Sequence, residues 1–150
     1  MKYIAFVCGH NSGRSQLAQG AFNKLKAVSP EVDAEFEAIS WGTGIDPNSG
    51  VNKKIVPVAK TVGIDLTDES TYFPKNADDS SLVDRLPNVA KVITMGCMKT
   101  ACELPPMIEG VDTDDIEDWG LEDPASEDTD IATVTNQILG NCLKLIQALK

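Results

Sequence analysis

The sequence is poor in several residue types. Its 150 residues include one histidine, His10, two arginines, Arg14 and Arg85, two tryptophans and two tyrosines. No apolar run approaches the roughly 20 residues that a membrane-spanning helix needs. Met1–Val7 is too short for a signal-peptide core, and no cleavage signature follows it. These absences predict a cytoplasmic protein with no membrane partner. A basic excess is also missing: 13 Lys+Arg face 23 Asp+Glu, a formal net charge of −10. Nucleic acid is therefore not an expected partner, because binding it needs a basic footprint. Cys97 and Cys102 would supply two thiols to a zinc site, but the sole histidine lies in a glycine-containing loop near the N-terminus, so no metal is expected. The chain is long enough to fold as one domain, residues 1–150, without disulfide staples. Its four cysteines in a cytosolic setting read as catalytic thiols or as core residues.

The acidity is confined to one stretch. Residues 1–102 hold 11 Lys+Arg and 11 Asp+Glu, whereas Glu103–Asp130 holds twelve acidic residues and neither Lys nor Arg. Most of these carboxylates read as a solvated acidic loop, with one or two placed for chemistry.

Met1–Cys8 is a short apolar run rich in β-formers, as in a strand buried on both faces. After the turn-rich Gly9–Gly13, apolar residues Leu17, Ala18, Ala21, Phe22 and Leu25 recur at helical spacing, and Pro30 closes that helix. Asp33–Ile39 alternates like a half-buried strand. Ser40–Gly50 reads as a loop. Val51–Val62 carries a helical stripe, with Pro57 inside it and expected to kink it. Ser81–Leu86 reads as a short helix, Val89–Met95 as a second buried strand and Ile116–Trp119 as a short strand. Thr129–Lys150 is the longest helix, with Ile131, Val134, Ile138, Cys142, Leu145 and Leu149 along its core stripe. Cys142 on that stripe reads as core. Four strands alternating with helices predict a single-domain α/β protein with a four-stranded parallel sheet and helices on both faces. Ligands bind such folds beyond the carboxyl ends of the strands, where Cys8 and Cys97 fall.

Cys8-Gly9-His10-Asn11-Ser12-Gly13-Arg14-Ser15 leaves a strand and opens a helix. Backbone N–H groups of a tight loop can converge on an anion, and the helix N-terminus adds its positive dipole end. Arg14 can clamp a tetrahedral oxyanion bidentately, which a lysine cannot reproduce. The same field stabilises a thiolate at Cys8. Ser15 can hydrogen-bond that thiolate, and Asn11 tolerates a left-handed backbone and can brace the loop. Gly9, His10, Asn11, Ser12, Gly13 and Arg14 are thus the candidate oxyanion-binding residues.

Followed by Gln16-Leu17-Ala18, this loop resembles that of the low-molecular-weight tyrosine phosphatase superfamily. It is most similar to the arsenate reductases whose loop reads Cys-x-His-Asn-x-Gly-Arg-Ser-Gln-Met-Ala. Further matches are Ser40-x-Gly42-Thr43, Val62-Gly63-Ile64-Asp65-Leu66, Val92-Ile93-Thr94-Met95-Gly96-Cys97 with Cys102, and Glu117-Asp118-Trp119-Gly120-Leu121-Glu122-Asp123-Pro124. The resemblance implies the phosphatase-like fold, Cys8 as nucleophile and Asp123 of the Asp-Pro pair as general acid. Protonating the departing oxygen is the use of such an acid.

The resemblance also implies a redox relay. Cys8 attacks arsenate, Cys97 attacks the resulting adduct, arsenite leaves, and Cys102 passes the disulfide outward. No bound cofactor is implied, only an external reductant, thioredoxin or a low-molecular-weight thiol. Phosphate would compete with arsenate for the cradle. His10 reads as structural or substrate-proximal. Some features depart from the family. Glu103 stands where a proline usually follows the second redox cysteine, and its charge disfavours a thiolate at Cys102. Residues 74–88 are longer and more polar than usual. Gln19 replaces the acidic residue with which some thioredoxin-coupled relatives bind potassium, so no such site is expected. Ala125-Ser126 follow the Asp-Pro in place of the paired aromatics that grip phosphotyrosine, which favours the reductase. The alternatives are a protein tyrosine phosphatase using Cys8, Arg14 and Asp123, and an oxyanion-binding regulatory domain without turnover. A negatively charged approach suits a small oxyanion better than an acidic phosphopeptide.

Overall fold

The computed structural model describes residues 1–46, 48–96, 111, 113–121 and 129–150. Lys2–Cys8 forms β1, and Ile4, Ala5, Phe6 and Val7 within it have no exposed surface. Ile4, Phe6 and Cys8 join one apolar cluster with Leu17, Phe22 and Ile138, while Ala5 and Val7 join another with Trp41 and Leu82. Alternate residues therefore serve opposite faces, and both faces are covered, as in an interior parallel strand.

The remaining strands are β2 (Phe36–Gly42), β3 (Val89–Thr94) and β4 (Ile116–Asp118). The sheet order is β2-β1-β3-β4, with every pair parallel. Helix α1 (Arg14–Leu25) follows β1 directly, and a short α2 (Pro30–Glu35) precedes β2. From β2 the chain passes through α3 (Ile55–Thr61) to the opposite side of β1, where β3 lies, and α4 (Ile131–Leu149) ends the fold. The connections thus diverge at the carboxyl end of β1, which opens a crevice there. Cys8 is the last residue of that strand.

Helices α1, α3 and α4 bury Phe22, Ala59 and Ile138, respectively, in the same cluster. The second face is covered, among the described residues, by Leu82 and Leu86 of a turn segment that ends in a 3-10 helix, Leu86–Asn88. A helix was expected over Ser81–Leu86. Instead the Asp79 carboxylate accepts from the Ser81 N–H at 2.9 Å and the Ser81 hydroxyl at 2.6 Å. This local side-chain bonding competes with helix formation.

Two prolines also act differently from expectation. Pro30 opens α2 instead of only ending α1, a first-turn position for which its fixed φ is suited. The strand after it consequently begins at Phe36, not Asp33. Pro57 lies in the first turn of α3, which spans Ile55–Thr61 and not the expected 51–62. Its missing N–H removes no helical bond there, so no kink is required. No helix among the described residues is long and apolar enough to cross a membrane.

Helix α4 starts where the Asp130 carboxylate accepts from the Ala132 N–H at 3.2 Å and the Thr133 hydroxyl at 2.8 Å. Val134, Ile138, Cys142 and Leu145 are buried along its stripe. Burial pushes the Cys142 thiol up to about 12. In the folded protein at pH 8, iodoacetamide should therefore leave Cys142 unmodified, with labelling appearing only in denaturant; peptide mass spectrometry reads both.

Lys75 is the one charged side chain among the described buried residues, at 5% exposure. Burial lowers its ammonium to about 8, with Arg85 acting in the same direction and Asp79 opposing. Glu37 of β2 lines the cavity that it borders. A base with a lowered folded pKa binds fewer protons folded than unfolded between about pH 8 and its unfolded value near 10.5. Stability therefore rises with pH across that window. From pH 8 to pH 10 the urea-unfolding free energy of the wild type should gain about 2 kcal/mol on that of Lys75→Met.

Candidate active site

The loop after β1 depends on an unusual backbone at Asn11. Its φ is +53°, and no other non-glycine residue among those described has a positive φ. Asparagine tolerates this left-handed conformation better than most residues. The side chain, fully buried, is held on every side. Its Oδ1 accepts from the Lys75 N–H at 3.1 Å and from Gln16 Nε2 at 3.1 Å, and its Nδ2 donates to Ser15 Oγ at 2.7 Å. Gln16 Nε2 also donates to the Asn11 carbonyl at 2.9 Å and to the Phe73 carbonyl at 2.9 Å.

This arrangement presents donors to Cys8. The Asn11 N–H points at Cys8 Sγ from 3.2 Å, and Ser15 Oγ lies 2.9 Å from the same sulfur. Asn11 Nδ2 already donates to the Ser15 oxygen, so the serine hydroxyl hydrogen is left for the sulfur. A thiolate here would receive two hydrogen bonds, which stabilise its charge.

The loop carbonyls are turned away from the crevice by bonds to its surroundings. Cys8 O accepts from Thr43 N at 3.1 Å, Gly9 O from Gly44 N at 2.9 Å, Ser12 O from Asn52 N at 2.7 Å and Gly13 O from Leu17 N at 3.0 Å. With the carbonyls engaged outward, the amides are left to converge, which is the requirement of an anion nest. Gly42 is needed for this contact, since a Cβ there would lie 2.6 Å from Gly9 O. His10 Nδ1 is 3.2 Å from Gly44 O. A carbonyl cannot donate, so Nδ1 carries the hydrogen and the ring braces the loop from an exposed position.

Arg14 opens α1 and reaches across the strand ends. One of its terminal nitrogens donates to the carbonyls of Met95 and of Leu121, the latter at 2.9 Å. Gly96, with φ +100°, makes room for it, because a Cβ there would lie 2.9 Å from that nitrogen and 2.5 Å from Leu121 O. Asp118 holds the same corner, accepting from the Thr94 hydroxyl at 2.7 Å and the Gly96 N–H at 2.9 Å.

The structure thus brings together Cys8, Arg14, Ser15 and the loop from Gly9 to Gly13. Cys97, Cys102 and Asp123 lie outside the described residues. Gly96 and Leu121, the nearest described neighbours in sequence of Cys97 and Asp123, both lie against Arg14. Sequence reasoning missed Gln16, Lys75, Asp118 and the carbonyl of Phe73. Gln16 follows Arg-Ser in the loop motif and Asp118 stands in the Glu117–Pro124 motif, so each gave a faint signal; Lys75 and Phe73 act from a distant part of the chain and gave none.

This loop, strand and helix occur together in a known class. Residues 3–150 match the family model described as low molecular weight phosphotyrosine protein phosphatase, and the chain belongs to that family. Within it, the chain is 32% identical over 141 residues to the glutaredoxin arsenate reductase of Synechocystis sp., covering 92% of this chain and 91% of that one. It also resembles a solved arsenate reductase in a phosphate-binding state, with a TM-score of 0.74, 28% identity and full coverage of both chains. A thioredoxin-dependent arsenate reductase of Corynebacterium glutamicum is similar over all of this chain and 64% of that one, with a TM-score of 0.68 and 26% identity.

Asn11 offers a direct test of this geometry. Asn11→Ala loses the side-chain bonds and strains the left-handed backbone, and should destabilise the fold by about 2 kcal/mol. Asn11→Gly loses the same bonds without the strain and should cost about 1 kcal/mol less. Urea unfolding of the two variants beside the wild type measures the difference.

Proposed function

We propose that this chain, as one domain over residues 1–150, reduces arsenate to arsenite in the cytoplasm. The observation that carries the reading is the Cys8 sulfur, held by the Asn11 N–H and the Ser15 hydroxyl at the sheet's switch point. It is supported by the similarity to arsenate reductases along nearly the whole chain. Arsenate enters the cradle of Gly9, His10, Asn11, Ser12, Gly13 and Arg14, and phosphate competes for it because the two tetrahedral anions share shape and charge. The Cys8 thiolate bonds to arsenic, and one oxygen departs as water after Asp123 supplies a proton.

Reduction then needs two electrons. The Cys97 thiolate attacks Cys8 Sγ, and the electron pair of the sulfur–arsenic bond stays on arsenic, which leaves as arsenite. Cys102 attacks the new disulfide and transfers it to Cys97–Cys102, freeing Cys8. An external thiol system, of the thioredoxin or low-molecular-weight kind, returns the two electrons. The names of two relatives, one a glutaredoxin and one a thioredoxin-dependent arsenate reductase, support such a donor. No bound cofactor or metal takes part in this scheme.

The competing reading, phosphotyrosine hydrolysis through a phosphorylated Cys8, uses the same loop without Cys97 and Cys102. Arsenite release, coupled to thioredoxin or to glutathione with glutaredoxin, is measured beside aryl phosphate hydrolysis. The wild type should release arsenite, Cys8→Ser should lose all activity, and Cys97→Ser and Cys102→Ser should each stop sustained turnover. Undiminished reduction in both relay variants would overturn the relay. Phosphate binding with neither activity would identify a regulatory oxyanion-binding domain instead.

A further inference from the structure

A buried lysine without a carboxylate partner lies beneath the Cys8 loop. No ion pair among the described residues involves Lys75. Among the described residues its compensation is a hydrogen bond from Nζ to the Phe73 carbonyl at 2.9 Å, the Phe73 ring, whose centroid is 4.3 Å away, and the Asp79 carboxylate acting from beyond ion-pair distance. Burying a cation with so little opposing charge costs stability, and residues that break this rule concentrate where function requires them.

The bonds around Lys75 lead to one place. The Phe73 carbonyl that accepts from Nζ also accepts from Gln16 Nε2. Gln16 in turn holds both the carbonyl and the Oδ1 of Asn11. The backbone of Lys75 donates to that Oδ1, and its carbonyl accepts from the Gly42 N–H at 2.8 Å, beside the close approach to Gly9. The side chain borders a polar cavity of about 200 Å3 that Gln19, Glu37, Ser40, Asp79's neighbour Ser81 and Arg85 approach from β2, α1 and the turn segment.

We propose that Lys75 is a positioning residue for the oxyanion loop: its ammonium anchors the Phe73 carbonyl, which orients Gln16, which keeps Asn11 left-handed with its N–H on Cys8. The positive charge adds to the field that favours a thiolate and a bound anion above it. This inference rests on the reading of Cys8 and its loop as the oxyanion site. Phe73, Gln16 and Asn11 are the links through which Lys75 acts, and it touches neither substrate nor sulfur.

The test reads Cys8 alkylation by iodoacetamide across pH, with and without inorganic phosphate, by peptide mass spectrometry. In Lys75→Met the rate at pH 7 should fall about fivefold, the worth of one ordinary hydrogen bond, and more phosphate should be needed for protection. The profile should recover at higher pH, and the variant should unfold at higher urea than the wild type, because a buried charge is gone. Weaker site, stronger fold: a purely structural lysine would weaken both. Lys75→Arg should stay within about twofold of the wild type, since the charge remains. Lys75→Ala should regain reactivity and phosphate protection on adding ethylammonium, which fills the vacated volume with the same group.

Wild-type reactivity and protection in Lys75→Met overturn the inference, as does an Ala variant indifferent to ethylammonium. A wild type whose Cys8 alkylation phosphate does not slow overturns the oxyanion-site reading itself, which separates the two failures.

Discussion

The left-handed turn at Asn11 is the constraint on which the loop, and through it the crevice, depends. A run of amides facing one point is electrostatically unfavourable until an anion arrives, and each carbonyl turned outward needs its own donor. Thr43, Gly44 and Asn52 supply backbone N–H groups to the outside of the loop, while Gln16 donates to the Asn11 carbonyl from within. The left-handed backbone at Asn11 turns its N–H to the sulfur while its side chain reaches the Lys75 N–H, Gln16 and Ser15. One residue thereby serves the sulfur with its backbone and the scaffold with its amide. Because every partner of that amide is buried, exchange with water cannot substitute for a lost contact, and the conformation is held by the packing around it.

The sheet order explains why this loop has so many partners. A strand at the centre, flanked by β2 on one side and β3 on the other, ends among the loops that follow all three. Gly42 closes β2 against Gly9, the Lys75 backbone continues alongside at Gly42, and Met95 and Gly96 end β3 against Arg14. Arg14 is therefore tied to two strand ends before any ligand arrives. Among the described residues its other donors make no hydrogen bond, and its orientation is fixed by carbonyls that cannot neutralise its charge. Preorganised donors of this kind favour charge without reorganising at the moment of reaction.

Local arrangement was legible in the sequence and long-range contacts were not. The strand, loop and helix around Cys8–Ser15 could be read because they are contiguous and their residue types have few other uses together. The succession of four strands along the chain and the α4 stripe followed from periodicity, whereas the order of the strands within the sheet did not. Pro30 and Pro57 were misplaced because proline in a first turn and proline as a terminator look alike until the helix start is known. The helix expected at Ser81–Leu86 failed because the Asp79 side chain captures the local N–H groups. Lys75 was invisible for a different reason: nothing in a polar stretch marks one lysine as buried, and its role comes from a carbonyl, Phe73, whose side chain gives no hint of it.

The acidic segment gains meaning from the same geometry. Asp118 and Asp130, two of its twelve carboxylates, hold the β3–β4 corner and the start of α4, so part of the excess negative charge is structural. Of the 13 basic residues, two are set into the scaffold around the loop: Arg14 spans two strand ends, and Lys75 sits under the loop. A strongly acidic protein that must attract an anion cannot rely on its long-range field, which repels. It must place its positive charge where solvent does not screen it and where the anion meets it only at the end of its approach. Burying Lys75 meets that need at a cost in fold stability, so site and fold pull in opposite directions at this one position.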